Sequence, residues 1–419
     1  YGVAPDHPEV KNVQHKFDEV ASDPRFQFIG NVSLGKDISV TELKPHYDAI
    51  VLSYGASAEK KLGIKGDDGS LKNVLSAGDF VGWYNGLFQD YNLQLDLTRT
   101  DTAVVIGHGN VALDVARILL MDVSTLSTTD IAEHALETLK QSKIKNVVLV
   151  GRRGPLQISF TTKELREMFQ LPNTRFHTDV DFLKEEFSNH ASYISTVRSL
   201  KRLTQILEKG IYNVEGDKSW TLKFLRSPTA FVGGNDSHTR FVKAVEFSVN
   251  KLEGDVRSSI AIPTGEIETI ETGLVIKSVG YRSLPVEGIP FDKDRGLVYN
   301  ERGKITDSDG KELPGMYVAG WLKRGATGVI AATMYDAFET AEVIISDLQS
   351  NKPMLNGVAS NMKPGATAIL PLLAQRGIRT VSYKDWKKIE ARESELGQQK
   401  GKPREKLAKI EEVLKILDE

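Results

Sequence analysis

Residues 102–116, TAVVIGHGNVALDVA, decide the fold of this chain. An apolar run typical of a buried strand ends in a Gly-x-Gly-x-x-Ala turn and continues directly into a helical pattern. In such a turn Gly107 permits the tight reversal, Gly109 lets the backbone approach a pyrophosphate, and Ala112 lets the helix lie close to the strand. Because the N-terminus of the helix faces the anion, we predict a dinucleotide site that also includes His108, Asn110 and Val111.

A second apolar strand, NVVLVG at 146–151, is followed by Arg152-Arg153-Gly154. An NAD-specific fold places a carboxylate there for the ribose 2′-hydroxyl, whereas guanidinium groups suit a 2′-phosphate, which they bind in bidentate fashion. The sequence therefore predicts NADP(H) at this site. The alternative is that the turn is an ordinary strand–helix connection and the arginine pair a solvated loop.

The arginine pair follows the turn at more than the usual distance of roughly 20 residues. A long crossover from Val111 to Ser142 accounts for the excess. It contains a polar turn around 124–129 and a second helical stretch, DIAEHALETLKQ.

Composition limits what the chain can be. The 419 residues carry a formal net charge of −2, which gives no overall basic field for nucleic acid, and length alone favours roughly two or three domains. No stretch approaches the roughly 18–20 apolar residues of a membrane span. Cysteine is absent, so disulfides, thiolate metal sites and a thiol relay are excluded, and no metal site is predicted.

The remaining pattern is that of an α/β protein. Apolar runs that end in glycine predict buried strands at 26–35, 49–56, 273–281 and 315–321. Alternating segments between 220 and 268 predict antiparallel strands. Helical patterns cover 10–21, most of 166–205, 328–348 and the charged tail from Lys363. The opening, YGVAPDHPEV, has no initiator Met and looks like the middle of a domain.

Several segments together resemble the adrenodoxin reductase family of mitochondrial NADPH:ferredoxin oxidoreductases. They are YGVAPDHPEVKN at 1–12, SAGDFVGWYNG at 76–86, GHGNVALDVARILL at 107–120, VGRRGPLQISFTTKELREM at 150–168, WLKRGATGVIAATM at 321–334 and GKPREKL at 401–407. Within these motifs His108 stands where the family usually has Gln, Ser159 where it has Ala, and Ala326 where it has Pro.

The resemblance implies two Rossmann-like domains, with an NADPH-binding domain at 62–285 inserted into an FAD domain made of 1–61 and 286–419. It implies an oxidoreductase that passes hydride from NADPH to FAD and single electrons to a [2Fe-2S] ferredoxin. Family members begin with a strand–turn–helix unit for FAD, which we expect this chain to lack. The alternative function is therefore an NADP(H)-binding fragment without redox activity.

The resemblance also implies roles for individual residues. Backbone groups of Gly328, Val329 and Ile330 would bind the flavin pyrimidine edge, and Trp321 would lie beside the flavin and nicotinamide rings. His7 and Asp114 would handle protons or electrons, and Glu164 would orient the nucleotide. The alternatives are a plain helix start, a core tryptophan, a loop histidine and two ordinary helical carboxylates.

Arg166, Arg198 and Arg202 resemble the basic residues on which the family docks ferredoxin. Independently, Arg198, Lys201 and Arg202 fall on one face of a predicted helix, SYISTVRSLKRLTQIL, beside an apolar stripe. An acidic iron–sulfur partner would be steered by this local basic patch, although a solvated helix face is the alternative. The resemblance implies a mitochondrial matrix location, at most peripheral to the inner membrane.

Overall fold

The computed structural model describes residues 3–234, 240–355, 357 and 363–419. Within them no helix is both long and apolar enough to cross a membrane. The strands are β1 Ile50–Leu52, β2 Ala58–Glu59, β3 Val74–Ser76, β4 Thr102–Ile106, β5 Asn146–Val150, β6 Thr174–Thr178, β7 Lys218–Lys223, β8 Arg226–Gly233, β9 Val242–Glu253, β10 Ile260–Glu271, β11 Leu274–Lys277, β12 Tyr281–Arg282, β13 Phe291–Asp292, β14 Leu297–Val298, β15 Asn300–Glu301, β16 Lys304–Thr306 and β17 Glu312–Val318.

Helices separate β3 to β7, whereas β7 to β17 follow one another without an intervening helix, and 3₁₀ turns occupy Pro8–Val13, Lys44–His46, Phe88–Asp90 and Pro155–Gln157. The α-helices are α1 Gln14–Ala21, α2 Val40–Leu43, α3 Ala77–Tyr84, α4 Asn110–Leu120, α5 Val123–Leu126, α6 Glu133–Lys140, α7 Thr162–Phe169, α8 Val180–Asn189, α9 Ala191–Thr196, α10 Arg198–Gly210, α11 Trp321–Arg324, α12 Ile330–Gln349, α13 Ala366–Gln375, α14 Tyr383–Gln399 and α15 Ile410–Asp418.

The chain forms two compact units. The larger one contains Tyr1–Asn12, Lys61–Val279 and Ile389–Glu419, and the smaller one contains Val13–Lys60 and Gly280–Lys388. The two central boundaries lie close to the predicted positions near Lys61 and Pro285. The ends of the chain differ from the expectation, because residues 1–12 and 389–419 belong by their contacts to the larger unit.

The larger unit is built on a parallel sheet in the order β3-β11-β4-β5-β7-β6. Strand β4 pairs with β5 so that Ile106 lies opposite Val150. Carboxyl ends of parallel strands share one edge of a sheet, so this register places the Gly-rich turn beside the loop that carries the arginine pair. The predicted strand–turn–helix and the long helical crossover through α4, α5 and α6 are confirmed.

An antiparallel sheet, β8-β9-β10, completes the strands of the larger unit and confirms the prediction from the alternating residues. One core covers a face of the parallel sheet and includes Trp220, Leu113 and Leu165, all without solvent exposure. A second core lies between the two sheets and includes Val104, Val245 and Phe247.

The smaller unit contains the sheet β1-β17-β16-β15, in which β1 is parallel to β17. Its core is formed by apolar side chains such as Val40, Leu52 and Val318. The predicted strands at 49–56 and 315–321 and the predicted helix at 328–348 are confirmed as β1, β17 and α12.

Three predicted elements differ from the structure. Residues 26–35 form no strand, and their ladder contacts among the described residues are isolated bridges from Gly30 to Val381 and from Leu34 to Ile38. The helix predicted over 192–207 is divided into α9 and α10 by Val197, which is extended. Within the mostly helical 166–205 segment, Thr174–Thr178 is the strand β6.

Candidate functional site

The turn between β4 and α4 has the geometry of a phosphate cradle. Gly107 has a φ of +132°, and a Cβ there would lie 2.2 Å from the carbonyl oxygen of Ser278. A Cβ on Gly109 would meet only the Ser159 Oγ, at 3.7 Å. The space in front of Gly109 is therefore open to a ligand, and the first N–H groups of α4 face it.

The other predicted turn residues have distinct positions. Ala112 is fully buried, so α4 lies close to β4 as predicted, and Val111 is half-buried. The Asn110 Oδ1 accepts a hydrogen bond from the Thr161 N–H at 2.8 Å. Asn110 therefore joins the turn to the loop that begins α7, in addition to placing its own backbone N–H at the helix start.

Arg152 and Arg153 follow β5 at the same sheet edge. Arg152 is exposed and Arg153 is half-buried. Burial, together with the charge of Arg152, lowers the pKa of Arg153. Their backbones are fixed, because the Arg152 carbonyl accepts from Asn250 Nδ2 at 3.1 Å and the Arg153 carbonyl accepts from the Leu225 N–H at 3.2 Å.

Neither arginine has a carboxylate partner within the part of the chain that the structure describes. Two adjacent positive charges without a counter-ion form an attractive site for a dianion such as a phosphate monoester.

A cluster of charged side chains surrounds Arg117, which is only 2% exposed on α4. Its guanidinium bonds Asp6 at 2.5 Å, Asp114 at 2.6 Å and Glu164 at 3.2 Å. The cluster thus brings together the predicted Asp114 and Glu164, and it places Glu164 beside Arg117.

His7 belongs to the same cluster. Its Nε2 lies 2.8 Å from the Glu167 Oε2, and one ligand atom each of His7, Asp114 and Glu164 lie within 4.8 Å of one another. Because Arg117 already supplies a positive charge to Asp114 and Glu164, the arrangement is an ionic network centred on a guanidinium.

Two carboxyl groups of this cluster, Glu164 and Asp114, have raised pKa values. Burial raises the pKa of Glu164 to about 7, and the charge of Asp114 adds to this effect. Burial also raises the pKa of Asp114 against the opposing charge of Arg117. For Arg117, burial opposes the charged form, but the carboxylates of Asp6 and Asp114 outweigh it and raise the pKa of the guanidinium. The Glu164 carboxyl therefore titrates near neutral pH.

Sequence reasoning missed Arg117, Asp6 and Glu167. The available signal was the spacing of Asp114 and Arg117, which are three residues apart on a helix whose other residues are mostly apolar. A basic residue in such a helix requires buried acidic partners, and the acidic candidates were distant in sequence.

In the smaller unit, α12 begins after Gly328, which has a φ of +81°. Val329 and Ile330 are 47% and 50% exposed. Within the described residues, the backbone N–H groups of Gly328, Val329 and Ile330 have no protein acceptor. The first turn of a 20-residue helix thus offers donors and a positive dipole end to a ligand.

Trp321 is half-buried at the start of α11 in the same unit. Its ring stacks on Tyr281, with centroids 6.1 Å apart and an interplanar angle of 15°. Tyr281 was not predicted as a site residue. The two half-buried rings form a flat aromatic surface that is partly exposed to solvent.

The predicted docking residues lie on α7 and α10 of the larger unit. Arg166, Arg198 and Arg202 are all exposed. Arg166 and Arg202 line a groove of about 600 Å³ whose walls also include Lys209, Phe169 and Ile206. Leu200, Leu203 and Leu207 bury the opposite face of α10, so the break at Val197 leaves the basic face intact.

Comparisons with known proteins identify the family. No family profile matches the chain. The NADPH:adrenodoxin oxidoreductase, mitochondrial, of Homo sapiens is 46% identical over 430 residues, which cover 100% of this chain and 84% of that protein. The protein of the same name from Arabidopsis thaliana is 40% identical over 99% of this chain and 86% of its own length.

Among solved structures, the Mycobacterium tuberculosis oxidoreductase FprA in complex with NADPH has a TM-score of 0.90 and 38% identity, covering 100% of this chain and 89% of its own. The comparisons do not bear out the expectation that an N-terminal FAD-binding unit is missing.

Proposed function

The chain belongs to the family of NADPH:adrenodoxin oxidoreductases, and from this premise we propose that it is an FAD-dependent reductase that carries electrons from NADPH to a [2Fe-2S] ferredoxin. The observation that carries the proposal is the open turn at Gly109 beside the unpaired Arg152 and Arg153. A pyrophosphate fits the first feature and a 2′-phosphate the second.

NADPH is held by the larger unit in this proposal. The turn from Gly107 to Ala112 and the N-terminus of α4 bind the pyrophosphate, while Arg152 and Arg153 bind the 2′-phosphate. When bound, NADPH would supply a hydride, and FAD would supply a group that can take up two electrons and give them up singly. The absence of cysteine from the sequence removes a dithiol route, so the flavin itself is the exit for electrons.

FAD is held by the smaller unit, for which the start of α12 is the supporting feature. The N–H groups of Gly328, Val329 and Ile330 face no protein acceptor in the described chain, which fits the carbonyl-rich edge of a flavin. The dipole of α12 favours added negative charge at that edge. Trp321, stacked on Tyr281, offers an aromatic surface to the rings.

The cluster around Arg117 handles the proton. Oxidation of one NADPH by two oxidised ferredoxins gives NADP⁺, two reduced ferredoxins and one H⁺. The Glu164 carboxyl, with its raised pKa, accepts this proton, Asp114 shares it, and the His7 Nε2 bonded to Glu167 passes it toward solvent. Glu164 also orients the nucleotide in this proposal.

The ferredoxin binds to the exposed arginines of α7 and α10. Arg166, Arg198 and Arg202 attract an acidic partner over a distance set by the ionic strength. Relatives are named mitochondrial, and we place this chain in the matrix, where it is at most peripheral to the inner membrane.

Spectroscopy of the purified chain tests the proposal. We expect a flavin absorption spectrum that bleaches on addition of NADPH and recovers as a [2Fe-2S] ferredoxin is reduced. Addition of NADH at the same concentration is the control and should bleach the spectrum far more slowly. NADPH binding without flavin colour, and without NADPH oxidation after addition of FAD and ferredoxin, would instead support an NADP(H)-binding module without redox activity.

A further inference from the structure

The ring of His108 connects the phosphate turn to the strand that carries the arginine pair. Its Nε2 donates to the Leu149 carbonyl at 3.1 Å. The ring lies against Gly151 so closely that a Cβ on that glycine would be 2.3 Å from the Nδ1. Gly151 immediately precedes Arg152. The imidazole is therefore a spacer between the turn and the first residue of the loop.

Aromatic residues fix the ring in this position. Phe224 makes an edge contact at a centroid distance of 5.2 Å, and Phe160 lies at 6.4 Å. Burial lowers the pKa of His108 to about 4, so the ring is neutral at neutral pH and donates through one nitrogen. The residue thus acts through shape and one hydrogen bond, without adding a charge near the phosphates.

The backbone of His108 holds the far end of the same loop. Its carbonyl accepts from the Ser159 N–H at 3.0 Å, the Phe160 N–H at 3.1 Å and the Ser159 Oγ at 2.9 Å. The loop from Arg152 to Ser159 is consequently attached to residue 108 near both ends, by the ring at Gly151 and by the carbonyl at Ser159.

We propose that His108 and Ser159 are positioning residues for the 2′-phosphate, because together they hold the Arg152–Arg153 loop at a fixed distance from the pyrophosphate turn. This inference rests on the proposed binding of NADP(H) and goes beyond it by assigning the preference for NADP(H) partly to two residues that need not touch the extra phosphate. Two phosphates of one nucleotide bind both sites together only when the sites are correctly spaced.

Nucleotide binding to the full chain tests the inference. The dissociation constants of NADP⁺ and NAD⁺ are measured by calorimetry for the wild type, His108→Ala, His108→Gln and Ser159→Ala. For His108→Ala we expect NADP⁺ to bind about tenfold more weakly and NAD⁺ to change less than about twofold, the scale of one lost hydrogen bond with its packing. Ser159→Ala keeps both backbone N–H donors to the His108 carbonyl. This variant should bind NADP⁺ roughly threefold more weakly, with a smaller change for NAD⁺.

Two further variants separate positioning from general stability. His108→Gln retains a side-chain donor for the Leu149 carbonyl and should recover most of the preference for NADP⁺. His134→Ala removes another half-buried imidazole, packed against Trp83 and Tyr91, and should leave the preference unchanged.

The outcomes are distinct. A wild-type chain that shows no preference for NADP⁺ overturns both the proposed function and this inference. If the wild type prefers NADP⁺ but His108→Ala weakens both nucleotides by the same factor, or weakens neither, the inference alone is overturned. If His108→Ala does not fold, Ser159→Ala decides by the same ratio, and a normal ratio in that variant overturns the positioning role.

Discussion

In our proposal, the side chains of Arg152 and Arg153 select which dinucleotide the fold accepts. Both sit at the end of β5 with fixed backbones and without carboxylate partners in the described chain. A guanidinium that lacks an internal partner gives up little on binding a phosphate, since no existing ion pair has to be broken. The sequence alone predicts this preference, because the arginines directly follow a strand.

We expect replacement of both arginines with Ala to weaken NADPH binding by about 2–4 kcal/mol, the scale of lost charge-assisted hydrogen bonds, and to change NADH binding by less than about 0.5 kcal/mol. Calorimetry with each nucleotide measures this. Arg257→Ala, which removes an exposed arginine that lies over Tyr193, is the control. Equal losses for the two nucleotides would show that the pair does not hold the 2′-phosphate.

The pKa of Glu164, in contrast, depends on residues that are far away in sequence. Its pKa rises from 4.5 to about 7 mainly through burial. A carboxyl whose folded pKa is raised binds its proton more tightly in the folded state, so it contributes most to stability at low pH. The contribution is lost as pH rises from about 4.5 toward about 7. No sequence pattern reveals this, since the burial depends on how α7 and the opening loop meet Arg117.

The variant Glu164→Gln mimics the protonated form and should flatten the dependence of stability on pH across that interval. We expect the urea midpoint of the wild type to fall between pH 5 and pH 8 by more than that of Glu164→Gln. The exposed Glu137→Gln serves as a control and should retain the full wild-type fall. An unchanged slope in Glu164→Gln would show that another group, such as Asp114, holds the proton.

Strand β4, its turn and helix α4 form the element that carries the proposed nucleotide site. Apolar strand residues, two glycines and an alanine at the correct spacing were sufficient to predict it. The register that places Ile106 opposite Val150 then brings the turn and the arginine loop together. This step was also predictable, because parallel strands joined by a helical crossover present their carboxyl ends at the same edge.

Other elements were predicted wrongly for physical reasons. The stripe of Ile194, Leu200 and Leu203 continues across the break at Val197, so the apolar period alone indicated one helix. Residues 26–35 have the apolar content of a strand, but Phe26 and Phe28 are exposed and no neighbouring strand pairs with the segment in the described chain. Strand pairing is a property of tertiary structure that local pattern does not contain.

The close packing at Gly107 in the turn gives a prediction about the free energy of unfolding. In Gly107→Ala, residue 107 would have to keep an unfavourable positive φ. Its new Cβ would also collide with the Ser278 carbonyl oxygen. We expect a loss of about 3 kcal/mol or more in the free energy of unfolding, measured with urea. Gly265→Ala is a matched control, since Gly265 also has a positive φ, of +95°, but no atom within 4 Å of its Cβ position.

The comparison separates backbone strain from the collision. Gly265→Ala should cost only about 1–2 kcal/mol, the strain of the backbone conformation. If the two variants are equally destabilised, the close approach of Ser278 to the turn is absent in solution.

At the scale of the whole molecule, hydrogen bonds from buried lysines attach a C-terminal segment to residues that are distant in sequence. Lys406 donates to Asn85 at 2.9 Å, and Lys402 donates to the Ile131 carbonyl at 3.0 Å. These contacts attach the segment GKPREKL to the larger unit, although the resemblance placed it in the domain for FAD. Motifs alone did not indicate this packing, because it depends on buried lysines whose partners are distant in sequence.

Charge distribution over the whole molecule gives the last prediction. The net charge is only −2, so an acidic partner must respond to a local field, and the exposed arginines of α10 provide one. Reversal of Arg198 and Arg202 to Glu should slow ferredoxin reduction by about tenfold or more at low salt, with a smaller effect at about 0.5 M salt. Reduction of a small neutral acceptor should keep the wild-type rate in this variant, because steering does not affect it.

The matched control reverses Lys384 and Lys388, which are also exposed and four residues apart on a helix, so it makes the same change in net charge at another place. If steering depends on the local face of α10, this control retains most of the ferredoxin rate. If both double variants slow ferredoxin reduction equally, attraction depends on total charge, and α10 has no special part in docking. A salt-independent loss confined to the α10 variant would instead indicate a changed contact geometry, because screening acts on long-range attraction and leaves packed contacts largely unaffected.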